Sequence, residues 1–271
     1  MFRFFFTFLV LVSVVLAQSS NVEGGAKNIL FIGASQDWAH DSVSRAMYTM
    51  EKIGRESGLF SVRFHTDLEI LTKQPLGSNK KNLNYFDAVM FFSQGDLPLD
   101  DHQKVDIMSF IREDGKGFLG VHSAVDSFRA SWPEYVEMVG GAFDNHPWNQ
   151  EVRIRVEDRF FPAMKHFPET FKLTDEIYQL NRYLRGDKRV LMSLDVTSVD
   201  MDANGVHRTD LDFALAWVRY WGKGRVFVNL LGHNPAVWDR LDIQKMWLEA
   251  VRWVLGGNRD NPILSSKETI N

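Results

Sequence analysis

Gly117-Phe118-Leu119-Gly120-Val121-His122-Ser123-Ala124 carries a strand and its exit in one short stretch. The run from Gly117 to Val121 is apolar without alternation, as expected of a parallel strand buried on both faces. It is entered from Gly115-Lys116-Gly117 and breaks at His122 between small residues. A strand turning sharply into a helix through small neighbours has the form of a nucleophile elbow, which exposes its central side chain. Here that side chain is an imidazole. Ser123 lies one position along and points elsewhere, so a Ser–His–Asp hydrolase is a weak reading.

Upstream, the same grammar repeats. Lys27 to Ala34 (KNILFIGA) is a buried strand ending at Gly33, and a helix should follow over about Asp41 to Glu56, with Val43, Met47, Met50 and Ile53 on one face. Phe60–His65 alternates as a second strand, and Phe86–Ser93 is another buried run. Asp100/Asp101 cap a helix carrying Val105, Met108 and Ile111. Strand–helix alternation at this spacing predicts an α/β fold: a doubly wound, mostly parallel sheet with right-handed crossovers and helices on both faces. Downstream the period changes to two in Gln150–Val156, near Phe171–Leu180 and in Val190–Leu194, predicting an added, partly antiparallel section. Phe213–Trp221 and Arg225–Leu231 form two strands joined through Gly222-Lys223-Gly224. A last helix carries Ile243, Met246, Trp247, Ala250, Val251, Val254 and Leu255 and stops at Gly256-Gly257.

Bulk properties set further bounds. The chain has 271 residues, net charge −4 and no cysteine, which excludes disulfides, Cys-ligated zinc, iron–sulfur clusters and thiol nucleophiles. Neither a basic excess nor a basic run is present, so no nucleic-acid partner is expected. Met1–Ala17 reads as a secretory signal peptide: Arg3 precedes an apolar stretch, and Val15-Leu16-Ala17 supplies small residues for cleavage. That predicts a protein exported to the periplasm or beyond, with no membrane insertion after cleavage. The expected layout is residues 1–17 as leader, 27–258 as a single domain and 259–271 as a loose tail. Neither GxGxxG nor GxxxxGK[ST] occurs, so no nucleotide cofactor is expected.

Ligands of open α/β sheets bind at the carboxyl ends of the strands. His40, His122, His146 and His233 fall on loops at those ends, whereas His65, His102, His166 and His207 fall on expected surfaces. Converging imidazoles suit acid–base work or a divalent metal, and the N/O donor set favours Zn²⁺ or another first-row ion. His122 is the expected catalytic centre, with His40, His146 and His233 beside it as metal ligands, together with His122, or as acid–base partners. Asp126, Asp144 and Glu151 are the expected basic or orienting carboxylates, and Asp41 reads as a helix cap. Trp38 and Trp148, with Ser123, are candidate substrate contacts, since indole faces stack on sugar rings. Scattered loop tryptophans are equally explained as satellite core.

These blocks together resemble the ThuA-like (trehalose utilisation) domain family, whose fold is that of class I glutamine amidotransferases. The resemblance spans roughly Lys27 to Asn258. It is carried by Gly120–Ala124, by Gly140–Trp148 with Gln150-Glu151-Val152, by Asp175-Glu176-Ile177-Tyr178, by Ala216-Trp217 with Tyr220 to Val226, and by Leu231-Gly232-His233 with Trp238. Where the amidotransferases hold a catalytic Cys, this chain has His122, so glutaminase chemistry is excluded. The resemblance implies a carbohydrate role. The expectation is an exported enzyme acting on keto-glycosides or disaccharides by hydrolysis, elimination or isomerisation, with a sugar or keto-sugar as partner and a homo-oligomer allowed. The alternative is a non-catalytic carbohydrate-binding or accessory protein that reuses the fold.

Overall fold

The computed structural model describes residues 25–77 and 80–257. The expected leader and C-terminal tail lie outside the described residues. Nine strands form one sheet in the order β2-β1-β3-β4-β9-β8-β7-β5-β6. β1 (Lys27–Ile32), β2 (Phe60–His65), β3 (Ala88–Phe91), β4 (Gly117–Val121) and β9 (Gly224–Asn229) pair in parallel. β5 (Ala142–Val156), β6 (Thr170–Asn181), β7 (Arg189–Leu194) and β8 (Ala214–Trp221) extend the sheet with antiparallel pairs. The expected doubly wound sheet with an antiparallel addition is therefore the fold observed.

The continuous apolar runs follow from burial on both faces. Ile29, Phe31, Met90 and Leu119 join one core with residues of α1 (Ser42–Ser57) and α4 (Leu241–Val254). Their alternates Leu30, Ile32, Val89 and Phe118 join the opposite core with α2 (Asp101–Arg112) and α3 (Pro133–Val139). In β1, β3 and β4 neither face is left to solvent, so period two does not show there, whereas β2, at the sheet edge, keeps exposed positions and alternates. β5 behaves differently: Val152, Ile154 and Val156 are buried while Glu151, Arg153 and Arg155 face solvent, giving the alternation that marked it.

Two local details depart from expectation. β5 starts at Ala142 rather than Gln150. Register shifts between Phe143 and Trp148, together with Pro147, interrupt its alternation there. Asp41 occupies the N-cap position of α1 but its side chain makes no capping hydrogen bond. Asp100 does cap α2, in a reciprocal capping box with Gln103.

Asp87 ties β1 to the start of β3, accepting from Asn28 N–H at 3.0 Å and pairing with Lys116 at 3.2 Å. Burial opposes its ionisation, but these donors and Lys27 hold its carboxyl below the usual value of 3.8. A depressed folded pKa adds stability above the unfolded pKa and loses it as pH falls through the folded one. Asp87→Asn should therefore destabilise at neutral pH, with the difference from wild type shrinking as pH drops below 3.8. Urea unfolding at both ends of that range checks this; a difference constant with pH would refute it.

Candidate functional site: a buried imidazole and carboxylate cluster

The site is assembled at the exit of β4. Val121 is extended, and His122 then takes φ +42° as the chain turns into a 3-10 segment, His122–Asp126. Positive φ in a non-glycine residue is costly and persists only where packing enforces it. The elbow geometry expected from the small flanking residues is present. Its imidazole is fully buried, with Tyr178 packed on it at a ring separation of 4.2 Å. His122 Nδ1 donates to Leu230 O at 2.7 Å, which directs Nε2 at Glu176 Oε2, 3.3 Å away.

Two other histidines close around it. His40 arrives from the loop between β1 and α1, and His233 from the segment after β9. The ring centroids lie 5.0 Å (His40–His122), 5.2 Å (His40–His233) and 5.2 Å (His122–His233) apart. Glu176, on β6, reaches His233 Nδ1 at 3.1 Å through the same oxygen that faces His122. One ligand atom from each of His40, His122, Glu176 and His233 lies within 4.8 Å of the others. His146 stays at the mouth, half exposed, with Nδ1 3.4 Å from Glu176 Oε1 and its ring stacked on Phe143.

β6 is five strands removed from β4 in sheet order. The antiparallel section must therefore fold back over the carboxyl end of the parallel strands to deliver Glu176. Successive residues of β6 point to opposite faces, and both acids of the Asp175-Glu176 pair are used. Asp175 accepts from Gly232 N–H at 2.6 Å and Asn234 N–H at 2.7 Å, fixing the backbone on either side of His233. Glu176 meets the ring itself.

The electrostatics suit a metal. Burial, reinforced by the neighbouring His122 and His233, pushes the His40 pKa down to about 3, so this imidazole is neutral and keeps a lone pair. Burial opposes ionisation of Glu176, but hydrogen bonding and charge from His122 and His233 hold its carboxyl far below the usual range. His233 is raised, chiefly by Glu176. His40 Nδ1, His122 Nε2 and His233 Nδ1 are buried without an aligned hydrogen bond. His122 Nε2 and His233 Nδ1 meet only the shared Glu176 oxygen, and a buried His40 Nδ1 with no partner is costly unless something binds it. This donor set fits a first-row divalent ion such as Zn²⁺.

The other expected residues are placed as follows. Asp126 lies at the end of the elbow segment, accepting from Gln94 and paired with Arg129, beside the cluster rather than in it. Asp144 is bonded to His207 Nδ1 and Gln179 Nε2, both at short range, so His207 has a defined partner despite its exposed ring. Glu151 is exposed and pairs with Lys172. Ser123 is buried at the elbow. Trp148 is a core residue whose indole N–H donates to Asp200 O, which removes it as a stacking surface. Trp38 is exposed, whereas Trp132, Trp148, Trp221 and Trp238 are buried, so satellite core is their role. Glu176 escaped notice as a site residue, although an acid pair inside a strand of buried apolar residues was the signal available.

A family profile described as ThuA, trehalose utilisation, matches residues 28–254. The chain belongs to the ThuA family. Membership points to a carbohydrate-related role. Among solved structures, a ThuA-like protein from Bacteroides uniformis superposes with TM-score 0.72 at 19% identity, covering 91% of this chain and 99% of its own. A ThuA-like protein from Parabacteroides merdae gives 0.64 at 17% identity, over 88% and 95% of the two chains. A cytoplasmic protein of Salmonella typhimurium gives 0.58 at 13% identity, over 84% and 99%. At these identities the likeness is one of fold. No curated protein matches the chain in sequence.

Proposed function

We propose that this ThuA-family protein is an exported enzyme that processes keto-glycosides or oxidised disaccharides at the His40–His122–Glu176–His233 centre. The observation that carries the reading is the convergence of His40, His122, Glu176 and His233, with one ligand atom from each within 4.8 Å of the others and Glu176 Oε2 shared by His122 and His233. Those four residues would hold a divalent ion. Bound there, it would supply Lewis acidity toward the sugar carbonyl, which acidifies the adjacent C–H. The chain's own residues do the rest. Leu230 O fixes the His122 tautomer, Asp175 holds the His233 loop, and Tyr178 covers one face of His122 against water. His146, solvent-accessible and within reach of Glu176, is placed to take a proton from substrate or return it. Export rests on the Met1–Ala17 pattern, and intact mass of the recovered protein should show a chain beginning at Gln18.

The test is elemental analysis of purified wild type and His122→Ala, followed by assay on keto-disaccharides. Wild type should carry about one first-row ion per chain. The variant should lose most of it and drop in turnover by at least about a hundredfold. Equal metal content and turnover in the two proteins would refute the assignment. A metal-loaded wild type with no turnover on any sugar would leave a binding protein instead.

A further inference from the structure

The three imidazoles of the cluster are not held alike. The His122 ring is fixed by Leu230 O, and the backbone around His233 by Asp175. The His40 ring makes no hydrogen bond among the described residues, and its Nδ1 is buried without a partner. Imidazoles that bind metals are ordinarily oriented by an outer partner. For His40 that task falls to the loop that carries it.

The loop is held by one residue. Gln94 follows β3 and is buried. Its backbone pairs with the segment after β1: Gln94 N–H donates to Ala34 O at 3.1 Å, and Gln36 N–H to Gln94 O at 3.0 Å. Its carboxamide reaches further in both directions. Oε1 accepts from Asp37 N–H at 3.2 Å and from Trp38 N–H at 2.8 Å, two residues before His40. Nε2 donates to Asp126 Oδ2 at 2.8 Å, where the segment that begins at His122 ends. The neighbouring Gly95 closes the seam, its carbonyl accepting from Phe128 N–H at 3.2 Å. Gly95 sits at φ +86°, and a Cβ there would come within 2.8 Å of Asp37 Oδ2. A primary amide supplies the acceptor that two N–H groups need and the donor that a carboxylate needs. A carboxylate of the same shape would instead set acceptor against acceptor at Asp126.

We propose that Gln94 is the positioning residue for His40: its carboxamide holds the loop carrying His40 in register with the segment carrying His122. It does for His40 what Asp175 does for His233. The inference rests on the preceding reading only in taking His40 as a metal ligand.

Zn²⁺ affinity from competitive chelator titration, and backbone amide exchange across residues 35–40, test it on the protein as purified. In Gln94→Glu the acceptor for the two N–H groups remains, but two carboxylates face each other where a hydrogen bond stood. Zn²⁺ should bind about 10–100-fold more weakly, and exchange in the loop should quicken. Gln94→Glu/Asp126→Asn exchanges donor and acceptor across the same contact at unchanged total charge. It should restore most of the affinity and of the protection. Asp87→Asn, which destabilises the protein away from this seam, should leave both at wild-type values, so lost stability alone does not imitate the effect. Wild-type affinity in Gln94→Glu would overturn the proposal, as would a double variant no better than the single one. A wild type that takes up no Zn²⁺ would sink the metal centre, and exchange would then decide for Gln94 by itself. Faster exchange in Gln94→Glu, reversed in the double variant, upholds its hold on the loop; unchanged exchange overturns it.

Discussion

Glu176→Gln should cost divalent-metal affinity at least about a hundredfold and reduce turnover on keto-disaccharides in step with occupancy. Residues one shell beyond a metal already cost about 10–100-fold when changed, so a direct carboxylate ligand sets that as a floor. The amide matches the carboxylate in shape but carries no charge. It would leave His122 Nε2 and His233 Nδ1, at 3.3 and 3.1 Å, without the anion they share. Because those neighbours hold Glu176 far below the ordinary carboxylate range, the missing charge is felt at every pH where the protein is handled. Competitive chelator titration gives the affinity change directly. Adding excess metal should restore part of the activity, since the three imidazoles remain. Wild-type affinity in Glu176→Gln would remove the carboxylate from the proposed ligand set.

Trp238→Ala should lower unfolding free energy by about 3–5 kcal/mol, the usual cost of truncating a large buried aromatic. Trp238 is fully buried, stacked on Trp247 at 5.6 Å with rings nearly parallel, and on Phe92 at 6.2 Å. Its indole N–H donates to Gly232 O at 3.1 Å, and Gly232 sits at φ +125°. Any Cβ at position 232 would come within 3.1 Å of that ring. The tryptophan is thus both core and the floor on which the His233 loop rests. Metal affinity should fall together with stability. Trp238→Phe keeps most of the ring but not the N–H; it should recover more of the stability than of the affinity. Urea unfolding and metal titration on both variants check this. A loss under about 1 kcal/mol in Trp238→Ala would show that the core closes around the missing ring.

Much of the fold was legible because buried parallel strands and amphipathic helices are written locally. The strands Phe60–His65 and Gly117–Val121 have the same ends in the sequence reading and in the structure, since each is bounded by turn residues. β5 was legible only in its second half. Its first half carries register shifts and Pro147, which erase period two where the chain bends toward the cluster. The three histidines of the cluster could be nominated from their positions after strands, but which of the four loop histidines would converge could not. His146 remains at the mouth because it sits on the irregular part of β5, while His40, His122 and His233 are enclosed by the parallel strand ends and the section that covers them.

By itself the sequence determined the periodicities, hence the strand and helix alternation and the imidazole at the elbow, because those depend on residues near one another in the chain. Only the tertiary structure decided that Glu176 belongs to the site, that Trp148 does not, and that Asp126 lies beside it, held by Gln94 and Arg129. Each depends on how the antiparallel section folds back across the sheet. Glu176 and His122 are 54 positions apart in the chain and five strands apart in the sheet, yet come within 3.3 Å. Such a meeting is set by sheet order and packing, which no local pattern records.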